Sequence, residues 1–203
     1  MSIFYLPYGD RVKAHAGSRW KNNPRYDIKT DNRVFLSRMT EVRALSILIL
    51  AFSLFLNTTK VYEPDTFWHI RTGQMIVDEG RIPTVDDFSL NAEGKAWIAY
   101  SWLSDVIFYL MYTVGGFEAL TFLKALVVSV AFLLIFRACI VSAIAPSFAA
   151  FFVICFLLAG SFRFTERPHI FTILFLALFS WLLVRKSVRS ENTLYLLPPL
   201  ALV

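Results

Sequence analysis

The amino-acid sequence predicts an all-α polytopic membrane protein, and three observations carry this prediction. First, 57% of the residues are hydrophobic and the mean hydropathy is +0.56, whereas soluble domains are about 45–50% apolar. Second, the apolar residues fall into separate runs after residue 44, as transmembrane helices require. Third, the basic residues cluster before the first run and after the fifth, which is typical of topology signals rather than of a nucleic-acid-binding surface.

The N-terminal segment 1–43 is polar, basic and rich in turn-forming residues. Its apolar residues show no period long enough to build a core, so we expect a largely disordered cytoplasmic tail. The basic residues either set the topology, which we favour, or bind anionic lipid headgroups. A cleavable signal peptide has its apolar core soon after a short basic start, so the first apolar run is expected to be an uncleaved signal anchor.

Residues 44–203 are predicted to be the N-terminal part of a transmembrane domain. The apolar runs are about 44–59, 103–114, 117–144, 148–162, 169–184 and 194–203. The last run stops after about ten residues, whereas a spanning helix requires about 20. We therefore expect the chain to be a fragment of a longer protein.

The runs leave one conflict in the predicted topology. Five full crossings from a cytoplasmic N terminus put Arg185, Lys186 and Arg189 outside, against the positive-inside tendency. We expect one short run, Leu103–Val114 or Phe148–Ala159, to be a half-helix buried in protein, as membrane folds tolerate around cavities. The sequence does not distinguish between these two runs.

The interval 60–102 is the one long polar segment between apolar runs, and we expect it to be an outer loop. A short helix is predicted from Phe67 to Glu79, with Asp65 or Thr66 as its N-cap and Gly80 as its end. This helix is partly apolar and carries aromatic residues, so we place it in the membrane interface.

A small hairpin is predicted in the second half of the loop. Phe88–Leu90 and Lys95–Ile98 flank the turn-forming segment Asn91–Gly94, which is typical of two short paired strands.

The acidic candidates for chemistry lie in this outer loop. Asp65 follows the first helix closely, where a carboxylate can act as a general base for an acceptor hydroxyl; an N-cap role is the alternative. His69 lies at i+4 on the same helix face and can share a proton with Asp65 or help hold a metal, although two residues do not make a ligand set. Asp86, with Asp87 beside it, is a second candidate for binding a cation or a sugar.

The segment Arg163–His169 lies between two apolar runs and holds two arginines and a histidine. Such residues are costly near a membrane unless they are partnered, and the guanidinium group pairs well with phosphate oxygens. The segment is therefore either a phosphate-binding site or an ordinary basic connector.

An ordered pattern runs through the outer loop and continues in this later segment. It reads Asp65-x-x-Trp68-His69-Ile70-x-x-Gly73, Gly80-x-x-Pro83-x-x-Asp86-x-Phe88-Ser89, Gly94-x-x-Trp97, Ser101-Trp102-Leu103 and, later, Arg167-Pro168-His169. The pattern resembles a bacterial family of polytopic membrane proteins, which is similar to the GT-C superfamily of glycosyltransferases that use lipid-linked sugars.

This resemblance implies a GT-C-like helical bundle in the bacterial inner membrane. The implied activity is transfer of a sugar from a polyprenyl-phosphate donor to an unidentified acceptor on the outer face, with a divalent cation as the one suggested cofactor. The implied site residues are Asp65 as catalytic base, Asp86 as second carboxylate, Trp68 and His69 as supporting residues, and Arg163, Arg167 and His169 at the donor phosphate.

One departure and one alternative accompany the resemblance. The family often has Glu where this chain has Ser101, so one candidate carboxylate is missing. The alternative function is a non-catalytic membrane protein, either a transporter or an assembly scaffold, although the sequence shows no inverted repeat.

Overall fold

Helices make up most of the chain in the computed structural model, which describes residues 28–86 and 94–189. In chain order they are α1 (Ile28–Asn57), α2 (Asp65–Glu79), α3 (Trp102–Val141), α4 (Pro146–Gly160), a 3-10 turn (Ser161–Arg163) and α5 (His169–Arg189). The described residues contain no regular strand, so the predicted all-α class is confirmed for them. The predicted run 194–203 lies outside the described residues.

The first helix starts earlier than the apolar run it contains. α1 begins at Ile28 and its residues 35–40 are exposed, whereas the sequence predicts a disordered tail up to residue 43. The extension contains three arginines, one leucine and one methionine, residue types that favour helix even when they are not packed. The apolar part of α1 is therefore the second half of one continuous helix, whose first half precedes residue 44.

The helix in the polar interval coincides with the segment where the sequence predicts one. α2 ends at Gly80, whose left-handed backbone (φ 66°) lets its N–H bond to the carbonyl of Ile76, as is common at helix ends. After it, Val85 and Ala96 form a single antiparallel bridge. The predicted partner strand Phe88–Leu90 and most of the predicted turn lie outside the described residues.

The long helix α3 is broken near its first third. Gly115 and Gly116 have non-helical backbone angles, at the point where the sequence separates two apolar runs. Past the break, Ser129 Oγ lies 2.9 Å from Ser53 Oγ, and Lys124 Nζ lies 2.9 Å from Thr59 Oγ1. Later residues of α3 thus meet earlier residues of α1, so the part of α3 after the break runs antiparallel to α1.

The part of α3 before the break does not make a crossing of its own. Phe108 is buried in a cluster with Leu120, Val127 and Ile170, so this part lies beside the first turns that follow the break. Of the two short runs between which the sequence does not distinguish, Leu103–Val114 is therefore the one that stays at one end of the bundle.

The other short run traverses the whole bundle. At the start of α4, Ser147 donates a hydrogen bond to Glu41 in α1 (2.6 Å). Just beyond its end, Glu166 is paired with Lys124. α5 then returns, because Trp181 and Arg185 share a cleft with Arg137 near the end of α3. We call the end with Lys124 and Glu166 the polar end, and the end with Glu41 and Arg185 the basic end.

This path removes the conflict in the predicted topology. Four helices of the described chain are long and apolar enough to cross a membrane. With four crossings, Arg38 and Arg43 in α1 share the basic end with Arg185 and Lys186 in α5. One side of the membrane then holds both basic clusters, as the positive-inside tendency requires.

The arrangement predicts which residues a membrane-impermeant thiol reagent reaches from each side. In a background where Cys139 and Cys155 are alanine, Ser37→Cys and Ser187→Cys are expected to label together from one side of sealed vesicles. Tyr62→Cys and Tyr100→Cys, which replace exposed side chains at the polar end, are expected to label from the other side. Labelling of Ser37→Cys and Ser187→Cys from opposite sides contradicts the four-crossing path.

Candidate functional site

A buried ion pair fastens four segments together at the polar end. Lys124 Nζ lies 2.7 Å from Glu166 Oε1, at an angle that departs from hydrogen-bond geometry, and both side chains are 2% exposed. Lys124 also donates to Thr59 Oγ1 just after α1, and Thr66 in α2 donates to the backbone carbonyl of Glu166 (3.2 Å). The start of α2 is therefore held in place by the segments that surround this pair.

Close packing on α3 fixes the rest of α2. Gly73 faces α3 so closely that a Cβ atom there would lie 2.0 Å from the carbonyl oxygen of Asp105. Thr66 and Thr72 are also buried. The exposed residues of α2, including Asp65 and Trp68, therefore have a fixed position at the polar end.

Arg167 brings the acidic start of α2 together with the basic segment after α4. Its Nη2 atom contacts Glu63 Oε1 and lies 2.8 Å from Asp65 Oδ2. Its Nε atom is buried and has no hydrogen-bond partner among the described residues. A bidentate anion is the usual partner for such a guanidinium group.

An open cleft of about 640 Å³ adjoins this arginine, and we call it the arginine cleft. Glu63, Arg163, Arg167 and His169 line it, and His169 Nε2 lies 2.9 Å from the carbonyl oxygen of Arg163. Three predicted phosphate-binding residues thus share one cleft, and Asp65, the predicted base, contacts one of them.

The local role of Asp65 differs from the N-cap alternative. The N-cap position of α2 is Pro64, which makes no side-chain capping bond, and Asp65 is the first helical residue. Its carboxylate still lies favourably near the helix N terminus, but its polar partner is Arg167 rather than a backbone N–H. The N-cap prediction for Asp65 is therefore wrong.

His69 pairs with a carboxylate from α3 rather than with Asp65. His69 Nδ1 lies 2.7 Å from Asp105 Oδ1, and Ser101 Oγ donates to both oxygens of Asp105 (3.0 and 3.2 Å). The Asp105 side chain is 3% exposed. Ser101, which stands where the resembled pattern often has Glu, thus supports a carboxylate one turn further on.

The predicted supporting residues line a second cleft, of about 250 Å³, which we call the tryptophan cleft. It is lined by Trp68, His69, Asp86, Trp97 and Asp105. The structure therefore divides the predicted site residues between two clefts. The basic residues line the arginine cleft and Asp65 contacts one of them, Arg167, whereas Trp68, His69 and Asp86 line the tryptophan cleft.

Three buried charged residues, Asp105, Lys124 and Glu166, do not appear among the sequence-predicted site residues. Charged side chains in or beside transmembrane runs are rare and usually paired, so this signal is present in the sequence. Their partners lie far away in the chain, so a local pattern does not reveal them.

The suggested divalent cation has no dedicated ligand cluster in the described part of the chain. No group of three or more His, Cys, Asp or Glu residues is arranged there to hold a metal. Glu63 and Asp65, the two carboxylates at the arginine cleft, converge on Arg167.

The fold belongs to the class of multi-pass helical membrane proteins, because four described helices have the length and apolarity to cross a bilayer. Comparisons of the chain with protein-family models, with curated proteins and with solved structures find no match. The resemblance to GT-C enzymes therefore stays a prediction from the sequence pattern.

Proposed function

We propose that the protein is a GT-C-like glycosyltransferase, or part of one, that moves a sugar from a polyprenyl-phosphate donor to an acceptor. In this proposal the polar end faces the outside of the bacterial inner membrane and the N terminus is cytoplasmic. The observation that carries the proposal is the 2.8 Å contact between Asp65 Oδ2 and Arg167 Nη2. It joins the predicted base and a predicted phosphate-binding residue, although they lie far apart in the sequence.

The donor phosphate would exchange with the carboxylates that hold Arg167. Exposed ion pairs contribute about 0–1 kcal/mol, and this pair is open to solvent, with Arg167 and Asp65 side chains 41% and 52% exposed. A phosphate group can also satisfy the buried Nε atom of Arg167, which the carboxylates do not reach. Arg163 and His169 line the same cleft and would add further contacts.

The exchange also prepares Asp65 for proton transfer. Once the phosphate occupies Arg167, the Asp65 carboxylate is free to accept the proton of an acceptor hydroxyl. The hydroxyl oxygen bonds to the anomeric carbon while the bond from that carbon to the phosphate oxygen breaks. The bonding electrons leave with the polyprenyl phosphate, whose charge the arginines stabilise.

A second candidate function is a non-catalytic transporter or assembly scaffold, and one observation favours it. Transporters use discontinuous helices around their binding sites, and α3 is broken at Gly115–Gly116. The two functions differ in the fate of a bound polyprenyl-phosphate sugar, because only the enzyme cleaves its bond to phosphate.

Asp65→Asn in the full-length protein is expected to lower sugar transfer by about 10²–10⁴-fold, the usual contribution of a general base. The measurement is transfer from radiolabelled polyprenyl-phosphate sugars in membranes, with binding of the same donors as a second readout. Glu63→Gln is the matched control, because it also loses a contact to Arg167 but keeps the base, and a much smaller loss is expected.

Two results overturn this proposal. One is unchanged transfer by Asp65→Asn. The other is donor binding by the wild-type protein that Arg163→Gln and Arg167→Gln leave unchanged. Donor binding with no cleavage in the wild-type protein favours the transporter or scaffold.

A further inference from the structure

The tryptophan cleft has a chemical character opposite to that of the arginine cleft. Its ionisable side chains are two carboxylates, Asp86 and Asp105, and one histidine, His69. Carboxylates repel a phosphate but accept hydrogen bonds from hydroxyl groups. Hydroxyl groups of a ligand therefore suit this cleft, whereas a phosphate group does not.

The pairing of His69 leaves a defined nitrogen for such a ligand. A carboxylate can only accept hydrogen bonds, so an ionised Asp105 takes its 2.7 Å hydrogen bond from His69 Nδ1–H. The contact at Nδ1 fixes the orientation of the imidazole ring, as a carboxylate does for many histidines. Nε2 is then the ring nitrogen that can bond to a ligand. Ser101 Oγ also donates to both oxygens of Asp105, so the carboxylate that orients the ring is itself held in place.

Two indole rings give the cleft its apolar surfaces. Trp68 lies on α2, and Trp97 lies beside the backbone bridge, where its backbone N–H donates to the backbone carbonyl of Thr84 (2.8 Å). The same bridge fixes Asp86, whose N–H bonds to the carbonyl of Lys95 (2.9 Å). Tryptophan combines a large apolar face with a polar edge, which suits a ring that has C–H groups on its faces and hydroxyl groups around its rim.

The size of the cleft suits a ligand that places one ring in it. Pockets for drug-sized ligands are about 300–1,000 Å³, and this cleft is about 250 Å³. Asp65 and His69 lie one turn apart on α2, so a ring in this cleft is close to the proposed base.

We propose that the tryptophan cleft binds one neutral sugar ring, which is the acceptor in the transfer reaction. Trp68 and Trp97 contact the ring faces, and Asp86 and His69 Nε2 bond to its hydroxyl groups. The assignment as acceptor rests on the proposed function, whereas the binding of a neutral sugar rests on the cleft alone.

The test is saturation-transfer NMR on the full-length protein in lipid nanodiscs. The probes are free glucose, galactose, mannose and N-acetylglucosamine, each tested alone and with inorganic phosphate as competitor. At least one sugar is expected to bind, and phosphate is expected not to displace it. Trp97→Ala and Asp86→Asn are expected to weaken this binding at least tenfold.

Matched variants separate this site from its surroundings and from the proposed function. Tyr100→Ala removes a neighbouring aromatic side chain that is 88% exposed, and it is expected to leave sugar binding unchanged. Asp65→Asn and Arg167→Gln are also expected to leave it unchanged, although they impair transfer. Trp68→Ala provides a second aromatic variant if Trp97→Ala lowers the melting temperature.

The inference is overturned if none of the four sugars binds, if phosphate displaces the bound sugar, or if the aromatic variants bind as well as the wild type. Sugar binding that depends on Trp97 in a protein without transfer activity leaves the cleft in place and removes the proposed enzyme. Transfer activity without sugar binding in this cleft removes the proposed sugar site and leaves the proposed enzyme in place.

Discussion

Replacing Lys124 with methionine is expected to lower the free energy of unfolding by about 3–5 kcal/mol, because Glu166 is left buried without its charged partner. Both side chains are almost fully buried and their charged atoms are 2.7 Å apart. Methionine has a similar length, so the loss reports the charge rather than a cavity. Thermal unfolding of the purified protein in detergent measures the effect.

A double replacement tests whether the unpaired charge of Glu166 causes this loss. Lys124→Met combined with Glu166→Leu is expected to recover much of the stability, because an apolar pair often replaces a buried ion pair at little cost. Thr59→Val removes only the hydrogen bond to Lys124 Nζ, and a loss of about 1 kcal/mol is expected. A double variant less stable than Lys124→Met contradicts a dominant effect of the unpaired charge.

Gly73→Ala is expected to separate α2 from α3 or to destabilise the protein by about 3 kcal/mol, the upper part of the usual range for overpacking. The added methyl group would lie 2.0 Å from the carbonyl oxygen of Asp105 and 2.8 Å from Cβ of Tyr109. Backbone atoms cannot rotate away as a flexible side chain can. The contact between His69 and Asp105 is therefore expected to be lost, together with sugar binding in the tryptophan cleft.

Gly80→Ala is the matched control on the same helix. Gly80 has open space around it, so an alanine there meets only the cost of a left-handed backbone, about 1–2 kcal/mol. The α2–α3 contact is expected to stay intact. Equal effects of the two substitutions on sugar binding would show that close packing at Gly73 does not shape the cleft.

The sequence predicts best what is decided locally. The apolar runs give the helices of the bundle because a run of that length can only satisfy its backbone in lipid as a helix. The end of α2 follows from Gly80, and the break in α3 falls where Gly115 and Gly116 interrupt two apolar runs. Each of these features depends on residues that are close together in the chain.

The geometry of the candidate site depends on contacts that no local pattern contains. His69 has Asp65 one turn away on its own helix, yet it pairs with Asp105 because Gly73 allows α3 to come close. Asp65 instead meets Arg167, because Glu166 and Thr66 bring their two segments together. The sequence identifies Asp65, His69 and Arg167 as candidates but does not identify their partners.

The path of the chain through the bundle also depends on contacts between residues that are far apart in the sequence. The charge distribution predicts that one short run does not cross the membrane, but both short runs are apolar and of comparable length. Their difference arises from tertiary packing, since Phe108 is buried against Leu120 and Ile170. Hydropathy alone does not contain this information.

The pair of Lys124 and Glu166 has a consequence for the order of assembly during synthesis. Lys124 enters the membrane with α3 while Glu166, which follows α4, has yet to be translated. Until then the lysine can keep its ammonium group at the water interface through its long side chain. The contact between Lys124 and Glu166 can form only after Glu166 has been translated, so this link at the polar end cannot close before α4 has been made.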